Sequence, residues 1–310
     1  RREAETEAGM EKVRIQRKIR RRRNTIKAWA LLSPSILFMT MFTFYPFVKT
    51  FVLSFYKKKL SSRSAVFNGV QNYVRAFNDP GFSRSVTNTL SFCALVIPTC
   101  LILGLVFAYL LNKRTPGRTA FRAMIFYPNI APMVGFYLVW MYLMAPDIGY
   151  INAILRLIGV QGHNWLGDSK TVLYSIGAIY IWREAGYMML FYLSGLQGID
   201  ESYYEAATLD GANEWQKFKA ITFPLLMPTT VFAVTLSITN AVQVVDPIAI
   251  LTNGGPNNAS SMVMYYIYKK AFTDFDYGMA STYSVILLVV LLTVICIQNF
   301  CLDKRTHYES

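Results

Sequence analysis

Side chains able to do acid–base, nucleophilic or metal chemistry are sparse in these 310 residues, and they do not converge. The two histidines, His163 and His307, accompany no groups that would make either a catalytic base. Cys93, Cys100, Cys296 and Cys301 show no Cys-x-x-Cys spacing and have no histidine nearby, so they read as packing residues rather than metal ligands. A Gly-x-x-x-x-Gly-Lys-Ser/Thr phosphate loop is missing, and Gly-Lys does not occur at all, so the chain is expected to hold no ATPase of its own. Three polar groupings remain. Arg183 and Glu184 stand together inside an apolar run, Asn240, Gln243 and Asp246 recur at spacings of three along one slanting helix face, and Gln197–Lys219 is rich in charge. Amides both donate and accept hydrogen bonds, which suits a hydroxyl-rich ligand. The chemistry expected is recognition without bond making, with no catalytic residue and no metal site.

The elements that must position these groups follow from apolar patterning. Apolar residues make up 54% of the chain and charged residues 16%, against about 25% charged in soluble proteins. Uncharged runs cover Ala28–Val48, Ser85–Asn112, Ala123–Pro146, Ala220–Val245 and Tyr277–Leu302. Each reaches the roughly 20 residues a helix needs to cross a hydrocarbon core. Val172–Gly195 is a sixth, interrupted only by Arg183 and Glu184. Continuous runs exclude a closed barrel, whose strands alternate. The expected fold is an all-α membrane protein of six transmembrane helices, at about 28–55, 86–112, 121–146, 172–195, 221–245 and 277–302. Pro247–Tyr268 is uncharged too, but Thr252–Asn258 is a cluster of turn formers, and the stretch is taken as a loop. Pro34, Pro46, Pro98, Pro128, Pro132, Pro224 and Pro228 fall inside or at the edges of spans, where they serve either as ordinary kinks or as hinges.

The net charge of +13 is concentrated in residues 1–29, which carry eleven Lys or Arg, including Arg20–Arg23. A basic tail directly before a span belongs in the cytoplasm against anionic lipid, and no nucleic-acid partner is expected. Six spans then put both termini, including the tail 303–310, inside a bacterial-type plasma membrane. The loop Lys113–Arg122, with four basic residues in ten, agrees. Lys57, Lys58, Lys59, Arg63, Arg75 and Arg84 oppose this, since they fall outside, but near-membrane N-terminal charge usually dominates.

Within the segment 197–224 the chain reads Glu205-Ala206-Ala207-Thr208-Leu209-Asp210-Gly211-Ala212, followed by Ile221-Thr222-Phe223-Pro224. Ser202–Asp210 favours a short helix, the two alanines permit close approach, and Gly211 permits a sharp turn. Two short helices at an angle make a knob that can seat in a groove on a partner. A helix lying on lipid is the alternative, and it predicts neither the glycine nor the Ile-x-x-Pro spacing. The segment resembles the EAA loop of permease subunits in binding-protein-dependent ABC importers, matching Glu205, Ala206, Ala207, Gly211, Ile221 and Pro224 and departing at Phe223, where the family has Leu. The resemblance extends from Ala30 onward and points to the carbohydrate-uptake branch typified by maltose and glycerol-phosphate permeases. Pro34 with Tyr45-Pro46, Gly69-Val70-Gln71-Asn72-Tyr73, Asn88-Thr89, Gly195-Leu196-Gln197, Thr252-x-Gly254-Gly255-Pro256 and Tyr277-Gly278-x-Ala280-Ser281 carry it in order.

What the resemblance implies is a complex: this subunit, a second homologous permease subunit, two ATP-binding cassette subunits and an extracellular binding protein that delivers a small-molecule solute. ATP and Mg belong to the cassette subunits, which dock through Glu205, Ala206, Ala207, Asp210, Gly211, Ile221 and Pro224. The solute path is expected at Asn240, Gln243 and Asp246, with Arg183, Glu184 and Tyr187. A charge at mid-span costs about 2.5–3.5 kcal/mol, so Arg183 and Glu184 need compensation, either from solute or from a structural partner. The solute is expected to be a carbohydrate, with glycerol phosphate or another anionic sugar derivative as the alternative. A membrane scaffold or sensor would need neither the polar face nor the EAA loop.

Overall fold

The computed structural model describes residues 22, 24–61, 64–113 and 116–303. The basic run other than Arg22, together with Arg63, Arg114, the tail 304–310 with His307, and the side chain of Cys301, lies outside the described residues. The chain divides into two compact units at Leu53. The first is described by α1 (Asn24–Leu53), a 30-residue apolar helix with no buried residue in its most apolar window. A π-helical turn at Thr40–Phe44 interrupts it, and Thr40 Oγ1 returns a hydrogen bond to the Ile36 carbonyl at 2.8 Å.

The second unit begins with the short antiparallel pair β1 (Tyr56–Lys57) and β2 (Val66–Phe67), then α2 (Gln71–Phe77) and the 33-residue α3 (Pro80–Asn112). Asp79 caps α3 by accepting from the Gly81 N–H at 2.9 Å, and Pro80 supplies a first residue that needs no N–H partner. Next come α4 (Arg118–Ile130), α5 (Met133–Leu143), α6 (Tyr150–Leu157) and the 26-residue α7 (Val172–Gln197). The expected single span 121–146 is in fact α4 and α5 meeting at 97°. Pro132 causes the break, because it donates no N–H and turns Ala131 into an extended conformation with ψ 139°.

Beyond α7 lie α8 (Glu201–Leu209) and α9 (Glu214–Lys217), then a π-helical turn at Phe218–Thr222 that leads through Phe223–Leu225 into α10 (Met227–Val242). The stretch Pro247–Tyr268, taken as a loop, is largely helical: it holds most of α11 (Asp246–Leu251) and the first part of α12 (Val263–Phe272). Only the turn cluster between them is irregular, with Asn253, Gly254, Asn257 and Asn258 at positive φ. The chain closes with α13 (Tyr277–Asp303). Among the described residues four helices are long and apolar enough to cross a membrane, and the bent α4–α5 pair makes a fifth.

The core lies where α3 packs along α7, with Phe92, Val96 and Cys100 against Ile176, Ile179, Met188 and Met189. Here α4 also presses on α7 at Gly186, where a Cβ would overlap the Ile125 carbonyl oxygen. Small residues at such crossings let backbones approach, the main source of packing energy between helices in lipid.

The end of the unit where α3 begins is sewn together by polar side chains. Asn72 donates to the carbonyls of Ser54 and Tyr56 at 2.9 and 3.0 Å, and Asn88 to those of Asn258 and Ser261, both at 2.9 Å. Thr89 accepts from the Val263 N–H at 2.9 Å, and Asp79 accepts from Tyr266 and Tyr283 at 2.7 and 2.5 Å. The Asn-Tyr and Asn-Thr motifs read from the sequence are therefore structural in origin.

Candidate functional site

Two helix breaks face one another across a cavity of about 460 Å³. One is the α4–α5 bend, which contributes Asn129 and Met133. The other is the α10–α11 break, which contributes Gln243, Val244, Val245 and Asp246. The middle of α7 passes between them and adds Tyr180, Arg183, Glu184 and Tyr187, while Tyr137 of α5 and Asn240 of α10 complete the polar lining. Irregular backbone at membrane depth is tolerated where it lines such a cavity, because its freed polar groups can be met there.

Arg183 faces the α4–α5 wall. Its carbonyl accepts from Asn129 Nδ2 at 2.6 Å, its guanidinium reaches Tyr137 Oη at 3.5 Å, and among the described residues it forms no ion pair. Glu184 faces the α10 wall, where the Asn240 amide meets its carboxylate, yet its Oε2 is buried without a hydrogen-bond partner. Adjacent residues on a helix point about 100° apart, so the pair is divided between two walls rather than joined to itself. A guanidinium, two carboxylates and three amides can grip a polyhydroxylated molecule through many hydrogen bonds, and nothing here is placed to break a covalent bond.

At the far end of α7 the chain makes a projecting hook. Asp200 caps α8 through the Ser202 N–H at 2.9 Å, a bond that holds its carboxyl below the usual range. At the other end of α8, Gly211 takes φ +78°, which lets its N–H reach the Thr208 carbonyl and the Ala212 N–H reach Ala207. Asn213 and Gln216 then form a reciprocal capping box on α9. Glu214 receives Lys217 at 3.4 Å and Lys113 at 3.5 Å, and its carboxyl is held low by the Lys217 hydrogen bond first and by Lys113. Tyr204 Oη and Thr222 Oγ1, 2.9 Å apart, tie the two arms together. Glu205, Ala206, Asp210, Gly211 and Pro224 are exposed, Ala207 and Ile221 are half-buried, and Leu209 at 89% and Trp215 at 71% exposure stand out as apolar groups without cover.

The chain matches, over residues 100–306, the family described as the binding-protein-dependent transport system inner membrane component. It belongs to this family of permeases. Similar proteins include the lactose transport system permease protein LacF of Rhizobium radiobacter, 33% identical over 86% of this chain and 92% of that protein. Another is the sn-glycerol-3-phosphate transport system permease protein UgpA of Agrobacterium fabrum, 30% identical over 92% and 97%. A solved bacterial alginate ABC transporter, in complex with an alginate pentasaccharide-bound periplasmic protein, has a chain that superposes with a TM-score of 0.81 at 22% identity. That match covers 92% of this chain and 96% of the other, and the likeness shows the fold alone. The permease is thus an inner-membrane transport subunit, without a catalytic site, rather than an enzyme.

The structure places every residue expected on a solute path, Arg183, Glu184, Tyr187, Asn240, Gln243 and Asp246, on the wall of the one cavity. It places every residue expected in the docking segment on the hook or at its return to α10. What sequence reasoning missed is the third wall of the permease cavity, Phe126, Asn129, Met133 and Tyr137. The available signal was Pro128 with Pro132: two prolines four residues apart in a span mark a bend, and Asn129 lies between them.

Proposed function

We propose that the permease pairs with a second homologous permease subunit to form the path of a carbohydrate, a mono- or oligosaccharide. An extracellular binding protein delivers it, and two ATP-hydrolysing subunits drive its passage, with ATP and Mg confined to them. On this reading α1, α3, α4–α5, α7, α10–α11 and α13 are six spans, and both termini are cytoplasmic. Supporting the alternation, the end of α3 and the hook lie together, through Lys113 and Glu214. Segments 54–79, 252–262 and the start of α13 share the other.

The observation that carries the proposal is the polar cavity at two helix breaks, in a chain whose relatives are named for sugar and glycerol-phosphate transport. Coupling follows from connectivity. The helices leading into and out of the hook, α7 and α10, are the same two that carry Arg183, Glu184, Tyr187 and Asn240. A cassette subunit holding the hook at Glu205, Ala206, Ala207, Asp210, Gly211, Ile221 and Pro224 therefore pulls directly on two cavity walls, and the cavity opens alternately to either side. A second reading, an anionic sugar derivative, is favoured by Arg183, which forms no ion pair among the described residues, and opposed by Glu184 and Asp246.

The test is ATPase activity of the complete reconstituted complex, stimulated by the binding protein loaded in turn with neutral oligosaccharides, monosaccharides and glycerol phosphate. Stimulation by a neutral sugar is expected. Stimulation by glycerol phosphate alone would replace the first reading with the second, and stimulation by none of them would sink both.

A further inference from the structure

Between α5 and α7 the eight-residue helix α6 is amphipathic in an inverted sense. Its asparagine is turned inward. Asn152 is buried, donates to the carbonyls of Pro146 and His163, both at 2.9 Å, and accepts from the indole N–H of Trp165 at 2.8 Å. Arg156, the helix's only charged residue, bends back to the carbonyls of Pro146 and Asp147 at 3.0 and 3.3 Å. Away from Asn152 and the exposed Arg156, one outward stripe is apolar. Tyr150, Ala153, Ile154, Leu157 and Ile158 follow the i, i+3, i+4, i+7, i+8 pattern of one helical stripe, and all are exposed. Leu157 is 86% exposed, Ile158 69%, and Ile154 and Tyr150 60% each, with Ile148 and Val160 extending the surface at either end.

A stripe of this kind facing water would be costly. It is continuous with the exposed apolar side of a membrane-spanning segment: the Tyr150 ring meets that of Tyr142 on α5 at 6.0 Å, and Val134, Leu138, Met141 and Tyr142 are exposed along α5. Two exposed tyrosines where a span ends are the pattern of an interfacial aromatic belt. We propose that α6 is an interfacial helix whose stripe Tyr150, Ile154, Leu157 and Ile158 lies in the acyl–headgroup boundary of the bilayer. It floats the α5–α7 connection on the membrane and so fixes the height of the α5 wall beside the cavity. The occupant is phospholipid, because the stripe is uncharged, its one flanking cation is hydrogen-bonded back to the chain, and it continues the exposed apolar side of the spanning helix α5. This inference is independent of which solute passes and of how the ATPase subunits dock.

The experiment uses the complete importer in phosphatidylethanolamine and phosphatidylglycerol nanodiscs containing a phospholipid with a photoactivatable acyl chain. After irradiation of the unmodified permease, mass spectrometry is expected to recover lipid adducts within 150–158 as well as on α5. Adducts on Val134 or Leu138 with none in 150–158 would overturn the proposal. A second arm replaces Leu157 with p-benzoylphenylalanine, an exposed position where a larger side chain meets no packing. A phospholipid adduct is expected. A crosslink to the second permease subunit or to the binding protein makes the stripe a protein interface and overturns the proposal, as does the absence of any adduct.

Discussion

Gly211→Val tests whether the ATPase subunits read the shape of the hook. At φ +78° the glycine occupies the left-handed region, and a Cβ built on it meets no heavy atom within 4 Å. Steric crowding with neighbours therefore contributes nothing, and the effect of a side chain is confined to the backbone. A left-handed residue with a Cβ costs roughly 1–2 kcal/mol, with valine at the upper end because of its branching. The turn is held locally, by the Gly211 N–H to Thr208 and the Ala212 N–H to Ala207 at 3.1 and 2.9 Å, and is remote from the α3–α7 core. The penalty thus falls on the population of the correctly bent hook, while the fold is untouched. At tenfold per 1.4 kcal/mol, affinity for the ATPase subunits should drop roughly 5- to 30-fold.

The assay is a binding isotherm of purified ATPase subunits on the permease pair in nanodiscs, with thermal melting of the permease as the control for folding. Asparagine visits the left-handed region more readily than alanine or valine, so the expected order of affinity is parent, Gly211→Asn, Gly211→Ala, Gly211→Val. Affinities within twofold of the parent for all three variants would refute the reasoning. Equal losses in all three would refute it differently, by showing that the partner touches the glycine's surface.

Asn240→Ala and Gln243→Ala should each lower uptake severalfold while both permease subunits still co-purify with the ATPases, and unchanged uptake kinetics in both variants would remove these residues from the path. Arg183→Gln leaves the Asn129 bond to the main chain in place and removes only the guanidinium. With a neutral solute, transport should fall by less than about tenfold, the scale of one modest hydrogen bond, whereas an anionic solute should lose far more; uptake assays with both solute types separate the cases. Asp79→Ala deprives two tyrosine hydroxyls and an N–H of their acceptor and should cost roughly 2–4 kcal/mol, read as a lower melting temperature in detergent. Burial works to raise the Asp79 carboxyl, but the hydrogen bonds from Tyr283, Tyr266 and the backbone outweigh it and hold it below its ordinary value. A depressed carboxyl stabilises the fold above its unfolded pKa, near 3.8, and loses that contribution as pH falls through the folded value. The difference between parent and variant should accordingly be flat from neutral pH down to about 5 and shrink only in stronger acid.

The long helices were legible because apolar length is a cumulative signal: α3, α10 and α13 each carry enough uncharged residues to overwhelm local ambiguity. The hook was legible for a different reason. Its glycine and its helix starts are determined by neighbours within a few residues, so Gly211 reads as a sharp turn from sequence alone, and the structure gives that turn a left-handed φ of +78°. The bend between α4 and α5 was less legible, since prolines at 128 and 132 are compatible with a mild kink as well as with a sharp break, and the sequence carries no measure of the 97° angle that results. The segment after Pro247 misled in the opposite direction. Its turn formers are real, but they occupy only the seven residues Thr252–Asn258, and apolar stretches on either side fold into α11 and α12.

The charged pair shows why a cavity is harder to read than a span. Arg183 and Glu184 are adjacent, and adjacency suggests mutual compensation; helical geometry turns them about 100° apart, so they form no ion pair and only a longer-range attraction remains between them. Each therefore needs its own partner on a different element. For the Arg183 guanidinium that partner is Tyr137, beyond a bend that sequence did not reveal, while Asn129 holds the Arg183 main-chain carbonyl; for Glu184 the partner is Asn240, the one member of the expected face of Asn240, Gln243 and Asp246 that lies within α10. A site built between helices is visible in sequence only to the extent that every helix contributing to it is continuous. Once α4–α5 breaks, polar residues at 129 and 137 lose any common periodicity with one another. The same break frees backbone at membrane depth and creates the room for a polar solute, so the feature that hid the third wall is also the feature that makes the cavity possible.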